Sequence, residues 1–379
     1  MFQSIQLNFR KSVALLLLLG MLLVPMAGIA APTKSQPSQA SSVSSMKVAP
    51  AKAHSTIAYW SAQRMAAAKS PMPLLSRSTQ AAPRPLNTSY RGAYTKVEGA
   101  GPNGKLIAPG AAAENAAVPQ PQFPPFNRAY AYPAPFNRFE TFPVSLYTLY
   151  PNRTVGKLFF TDNQGTSDPS DDQNFVCSAS AVNSNSKNVV WTAGHCVSNG
   201  AGRFYVNHQF VPARRLGTNP YGVWTAKEVW TLTEWHSFGN LRQDVGALVM
   251  NKNSSGISIV NVVGGLGAIF NGSRIAHWNA MGYPQAAPFA GERQYQNQSS
   301  YAATDAVNAR PGPDTTGAGN DLTGGSSGGP WIKGYTASGG YMNGVNSYKY
   351  VSPSMPLEMY SPYIGNEALL LYNTVKDRP

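Results

Sequence analysis

Three short stretches of this sequence place a base, an acid and a hydroxyl in settings suited to nucleophilic chemistry. Trp191-Thr192-Ala193-Gly194-His195-Cys196-Val197 carries an imidazole. Asp244-Val245-Gly246-Ala247-Leu248-Val249 carries a carboxylate ahead of a small, apolar run. Gly324-Gly325-Ser326-Ser327-Gly328-Gly329-Pro330 sets a serine among glycines. A serine hydroxyl is a weak nucleophile at neutral pH, so a neighbouring imidazole must take its proton. A buried carboxylate then holds that imidazole in the right tautomer and stabilises its charged form. Glycines beside Ser327 let the backbone turn so that two N–H groups, those of Gly325 and Ser327, converge on one point. There they would stabilise a tetrahedral oxyanion, each donor contributing roughly 3–4 kcal/mol.

Singly, each stretch has a plainer reading. A Gly-Gly-Ser-Ser-Gly-Gly run is more often a flexible loop, and a histidine beside a cysteine is usually structural. Their conjunction in the order His, Asp, Ser outweighs those readings. On these motifs the chain resembles the secreted bacterial trypsin-like (chymotrypsin-fold) serine endopeptidases, and it is similar to glutamyl endopeptidases, over roughly residues 150–379. The resemblance implies an all-β fold of two six-stranded antiparallel β-barrels with a C-terminal helix. It implies His195, Asp244 and Ser327 as the catalytic residues, with Gly325 and Ser327 as the oxyanion donors. It also implies a disulfide between Cys177 and Cys196 beside the catalytic histidine. Glu228 and Glu234 compete with Asp244, but only Asp244 directly precedes a small-and-apolar strand as the family pattern requires. His54, His208, His236 and His277 lack a comparable setting and are expected to be structural or exposed.

The sequence departs from the family at two places. Trypsin-type zymogens mature when a new N-terminal amine pairs with an aspartate just before the nucleophile; here that position is Ser326. Arg153-Thr154-Val155-Gly156 looks like the matching cleavage site, but without a carboxylate at 326 it is discounted, and Val155 to Phe160 is expected to be the first barrel strand. The specificity pocket is the second departure. Asp321, six residues before Ser327, would sit at the pocket base and select basic side chains, yet glutamyl endopeptidases can also carry Asp there. Ser347, Tyr348 and Lys349 match the pocket wall, with Asn346 where glutamyl enzymes usually place a histidine. Lys349 would neutralise Asp321 or attract an acidic side chain, and a purely structural Asp321 stays open.

These residues must be positioned by short β-elements. Val155 to Phe160, Val189 to Thr192, Gly246 to Met250, Ile257 to Val263 and Gly344 to Tyr350 read as strands separated by Gly, Asn, Ser and Pro. Ile364 to Val375 has Ala368, Leu371, Tyr372 and Val375 at helical spacing, which predicts a terminal helix. Only 12% of the 379 residues are charged, about half the usual share, which argues against a charged helical bundle. Two cysteines exclude a disulfide-dense miniprotein and a four-cysteine zinc site.

The first thirty residues read as a secretory signal peptide, with Arg10 and Lys11 before an apolar run that includes Leu15 to Leu19, and with cleavage after Ala30. The run is shorter than the ~20 residues a membrane span needs, and no later stretch is long and apolar enough. Residues 31–145 read as a basic, Pro/Ala/Ser-rich pro-region, largely disordered. Within residues 31–150 there are 16 prolines and 12 Lys or Arg against 3 Asp or Glu, so the net charge of +13 sits mostly there and gives no sign of a nucleic-acid partner. One island, Tyr59 to Lys69, suits a short helix with Ser61 as N-cap and Pro71 beyond its end, and Tyr59 to Pro71 resembles a short motif in pro-regions of such bacterial enzymes. Pro125-Phe126-Asn127-Arg128 recurs as Pro135-Phe136-Asn137-Arg138 and reads as extended linker. Residues 146–379 form the expected protease domain.

The sequence thus predicts a secreted, extracellular serine endopeptidase acting on proteins or peptides through an acyl-enzyme, with no cofactor or metal. Two rival readings are a non-catalytic binding protein on a protease scaffold and an adhesion role, with the basic segment making weak contact with an anionic cell surface.

Overall fold

A computed structural model describes residues 42–76, 92–104, 106–107, 134–351 and 357–379. The signal-peptide stretch and the first Pro-Phe-Asn-Arg copy lie outside the described residues.

The described parts of the pro-region carry regular structure: β1 (Val43–Lys47), α1 (Lys52–Tyr59), α2 (Ala62–Ala67), β2 (Leu74–Leu75), β3 (Thr95–Val97), β4 (Gly99–Ala100), β5 (Leu106–Ile107) and β6 (Phe136–Glu140). The island helix is α2, and Ser61 Oγ accepts from the Arg64 amide as its N-cap. Trp60, Met65 and Ala68 are buried against Phe159, Val176 and Val211. A proline-rich composition therefore still yields order here, because the segment borrows apolar surface from the barrel. The second Pro-Phe-Asn-Arg copy lies at β6, which pairs along five residues with the strand at Tyr295–Ser299.

The protease region begins with β7 (Val155–Asp162), as expected, followed by β8 (Gln173–Ala181), β9 (Val189–Thr192), β10 (Val206–Pro212), β11 (Trp224–Leu232), α3 (Thr233–Phe238) and β12 (Gly246–Met250). The ladder runs β11-β10-β7-β8-β9-β12, and a further β11–β12 pairing closes it into a six-stranded barrel. Closure removes free edges, and Leu158, Phe160, Val190, Val229 and Leu248 share the inward face and fill its interior. Thr154 and Val155 are wholly buried, so the Arg153-Thr154-Val155 stretch is no exposed cleavage loop.

The second half contains α4 (Ile259–Val263), β13 (Gly267–Phe270), β14 (His277–Gly282), β15 (Tyr295–Asp305), β16 (Thr315–Gly319), β17 (Pro330–Thr336), β18 (Gly339–Val345), β19 (Lys349–Tyr350), β20 (Glu358–Ser361) and α5 (Asn366–Val375). Its main sheet runs β20-β16-β15-β14-β17-β18-β13-β3, with β6 added on β15. Two pro-region strands thus extend it. The expected strand at Ile257 to Val263 is instead α4. Ile259, Val260 and Val263 are its buried residues, a one-and-four spacing that suits a helix, and Gly264 ends it at φ +79°. A short apolar run cannot be assigned from periodicity alone. The expected strand at Gly344 to Tyr350 is split by Asn346-Ser347-Tyr348. Helix α5 buries Ala368, Leu371, Tyr372 and Val375, the expected face.

Candidate active site

Register brings the acid to the base. Strands β9 and β12 pair antiparallel with Gly246 opposite Thr192. His195, just past β9, and Asp244, just before β12, therefore meet at one end of the barrel. Asp244 Oδ1 accepts the backbone N–H of His195 at 2.7 Å. Asp244 Oδ2 accepts from His195 Nδ1 at 2.8 Å. With Nδ1 as donor, Nε2 is left as the ring's acceptor. Gly194 permits this approach: a Cβ there would lie 2.7 Å from the Trp235 ring and 3.0 Å from Asp244 Oδ1. The disulfide joins Cys177 in β8 to Cys196, the neighbour of His195.

The serine loop is held from two sides. Gly325 has φ +95°, and a Cβ there would sit 2.6 Å from the Tyr283 carbonyl oxygen, so the turn requires glycine. The Ser178 amide donates to the Ser327 carbonyl at 2.7 Å, and Ser178 Oγ donates to the Gly325 carbonyl at 2.9 Å. Asn346 Nδ2 donates to the Ser326 carbonyl at 3.0 Å, while the Gly328 amide donates to the Asn346 carbonyl at 2.8 Å. Ser326 turns its own hydroxyl onto the Thr323 carbonyl at 2.8 Å. Side chains from β8 and from the break between β18 and β19 thus order the loop without a carboxylate at 326. Sequence reading missed Ser178 and assigned no such role to Asn346. They lie far from Ser327 along the chain, and the one hint for Ser178 is its place beside Cys177.

One line of links runs between the two halves: Ser327 bonds Ser178, Ser178 follows Cys177, and Cys177 is bonded to Cys196 beside His195. His195 is 3% exposed and Ser327 is 0% exposed. His195 Nε2 and Ser327 Oγ are both buried without a hydrogen-bond partner among the described residues. No hydrogen bond therefore joins His195 to Ser327 in this structure, and buried side-chain atoms of Asn188, His208 and Gln209 are likewise without a partner among the described residues. The Gly325 amide is engaged by Ser70 Oγ of the pro-region at 2.7 Å.

The four pocket candidates are placed differently from one another. Asp321 accepts from Arg138 at 2.6 Å and from Asn297 Nδ2 at 3.0 Å. Lys349 Nζ donates to the carbonyls of Asn320 at 2.7 Å and Leu322 at 3.1 Å. Burial pushes the Lys349 ammonium down to about 8, against the opposing pull of Asp321 and Glu358. Tyr348 stacks on Tyr360 and bonds Thr315 and Asp305. Ser347 turns its hydroxyl to Asp244 Oδ2 at 2.5 Å.

The other candidates are otherwise occupied. Glu228 accepts from Trp230 Nε1 and Arg378, and Glu234 from Arg310 and Asn240. His208 is fully buried, which drives its imidazole down to about 3. His236 stacks on Phe204 and shares a hydrogen bond with Ser198. His54 and His277 are exposed.

A closed six-stranded barrel joined to a second, mostly antiparallel sheet in which, among the described residues, only β13 and β18 pair parallel, with His–Asp and serine-loop motifs where the halves meet, defines the class of double-barrel hydrolases. Solved structures bear this out. The chain is 40% identical to the protease Anisep from Arthrobacter nicotinovorans, with TM-score 0.52, covering 59% of this chain and 95% of that one. It is 35% identical to AL20, a thermostable serine protease from an extremophilic microorganism, with TM-score 0.53, covering 60% of this chain and 98% of that one. A Glu endopeptidase in complex with MPD matches at 17% identity and TM-score 0.46, too weak a likeness to bear on specificity. No family model and no curated sequence matches the chain. The chain belongs to the bacterial trypsin-like serine endopeptidases.

Proposed function

We propose that this serine endopeptidase hydrolyses peptide bonds through an acyl-enzyme, with Ser327 as nucleophile, His195 as general base then acid, and Asp244 as the group that orients His195. The observation that carries the reading is the buried His195 Nδ1–Asp244 Oδ2 contact at 2.8 Å, which leaves Nε2 as acceptor. In the reaction Nε2 takes the Ser327 proton as Oγ attacks the carbonyl carbon. The carbonyl oxygen, now negative, is held by the Gly325 and Ser327 amides. His195 returns the proton to the leaving nitrogen, and water then releases the acyl group by the same steps.

The same reading makes the chain a secreted precursor. A signal peptide spans 1–30, a removable segment extends from 31 to about 145, and the protease domain is 146–379. Among the described residues, no helix is long and apolar enough to cross a membrane. The test is covalent labelling with a fluorophosphonate. Attachment at Ser327, lost in Ser327→Ala and in His195→Ala, supports the reading. A folded, processed protein that never labels would favour a non-catalytic binding role.

A further inference from the structure

The pro-region threads the site in a way that the reading above does not use. Lys69 forms a parallel bridge with Phe175 of β8: its amide donates to the Asn174 carbonyl at 2.9 Å, and its carbonyl accepts from Val176 at 2.8 Å. Gln285 Nε2 binds the Ala68 carbonyl at 3.1 Å. One residue on, Ser70 Oγ accepts the Gly325 N–H at 2.7 Å. The chain then leaves along β19 as β2, again parallel, with Leu74 opposite Lys349 and Leu75 opposite Tyr350. The Lys349 and Val351 amides donate to the Pro73 and Leu75 carbonyls at 3.2 and 2.9 Å. Met72 is buried in one cluster with Leu322, Phe289 and Met359. One extended peptide therefore runs from β8 to β19 across the nucleophile loop, paired parallel on both sides.

We propose that Lys69 to Leu75 is a built-in inhibitory ligand of the active site, bound in the sense that cannot be cleaved. The inference rests on Ser327 being the nucleophile. Attack requires a peptide carbonyl oxygen at the Gly325 amide, so that its carbon lies at Ser327 Oγ. Here a side-chain hydroxyl fills that place, and a hydroxyl offers no acyl carbon. Reversing a peptide strand also exchanges the Cα and nitrogen sides of every carbonyl. In that sense His195 would face carbon where it must protonate nitrogen. Pro71 and Pro73 fix φ near −65° and bias Ser70 and Met72 to extended backbone. The ligand is thus held close to its bound shape, with little conformational entropy left to lose. The anchor is the preceding island: Trp60 Nε1 donates to the Asn207 carbonyl at 2.7 Å, its ring packs on Phe159, and Tyr59 Oη donates to Asn174 at 2.9 Å.

The experiment compares fluorophosphonate labelling rates of the intact full-length chain, read on the uncut band, with those of the processed form that accumulates on incubation. The intact wild type is expected to label at least tenfold more slowly than the processed form. Intact Ser70→Ala and Trp60→Ala are each expected to label about tenfold faster than the intact wild type. Mass spectrometry of the released segment is expected to find residues 69–75 uncut. Equal labelling of intact and processed wild type overturns the proposal, as do two variants at the wild-type rate or self-cleavage within 69–75. Absence of labelling in every form, processed included, overturns the assignment of Ser327 itself and is thereby told apart.

Discussion

Ser347 and Asp244, 103 positions apart, share a buried hydrogen bond of 2.5 Å, made to the same carboxylate oxygen that accepts from His195 Nδ1. Asp244 thus has three donors, two from His195 and one from Ser347, which leaves its carboxylate one orientation. Ser347, a residue expected to line the specificity pocket, thus also fixes Asp244 through its side chain.

Ser347→Ala should lower kcat roughly 10- to 100-fold with KM little changed. A hydrogen bond to a charged group contributes about 1.5–3 kcal/mol, and this one bears on catalysis through His195 rather than on substrate. Steady-state kinetics of the processed enzyme checks it. A change confined to KM would place Ser347 in the pocket instead.

Ser178→Ala removes the Oγ that donates to the Gly325 carbonyl and accepts the Tyr283 amide. The Gly325 turn then loses its side-chain support from β8, while the Ser178 amide still holds the Ser327 carbonyl. We expect kcat to fall about tenfold or more, while thermal unfolding shifts by only the few degrees that ~1 kcal/mol produces. Unchanged kcat with a large drop in melting temperature would mark Ser178 as structural only.

Reducing the Cys177–Cys196 bond opens a loop with a sequence separation of 19. The chain-entropy model assigns about 3 kcal/mol to a loop of that order. The double Cys→Ala variant should unfold at correspondingly lower urea and lose activity through the loosened His195 turn. Equal stability of the two forms would refute this.

Activity should not require one particular new N-terminus. The position that would receive an N-terminal ammonium is Ser326, and its hydroxyl is already bonded to Thr323. Chains beginning at successive residues from 140 to 149, ahead of the buried Asn152 and Thr154, should share activity, as should their acetylated forms. A single active start, silenced by acetylation, would show that the amine is a needed ligand.

Lys349 gives a pH signature of stability. Its folded pKa lies at about 8, below the unfolded 10.5. Between those values the unfolded chain binds the extra proton, so this group makes stability rise with pH from about 8 to about 10.5. Below pH 8 both states are charged and its burial penalty, about 3 kcal/mol, is fully present. Urea midpoints against pH should be flatter in Lys349→Met than in the wild type across that window. Parallel curves would refute it.

The candidate site could be picked out from the sequence because its residues stand in contiguous motifs. Imidazole, carboxylate and hydroxyl each sit in a run whose neighbours serve one local purpose, such as Gly194 clearing room for Trp235 and Gly325 adopting a positive φ. The terminal helix was legible for the same reason, since its buried face repeats at local spacing. Helix α4 was not, because a run of five residues, four of them apolar, carries too few periods to choose between helix and strand. Only the tertiary structure decided the rest. Ser178, Asn346 and Ser347 are ordinary polar residues whose roles come from partners tens to more than a hundred positions away, and hydrogen bonds of that reach leave no mark on local sequence. The pro-region shows the same limit: proline-rich composition predicts a chain that cannot build a core of its own, and it cannot foretell that Trp60 and Met65 would be buried in the barrel's apolar surface. Nor does composition carry direction. Whether Ser70 to Leu75 meets β19 parallel or antiparallel depends on where the chain enters the site, and that is set by the docking of the Tyr59 to Lys69 island on the barrel.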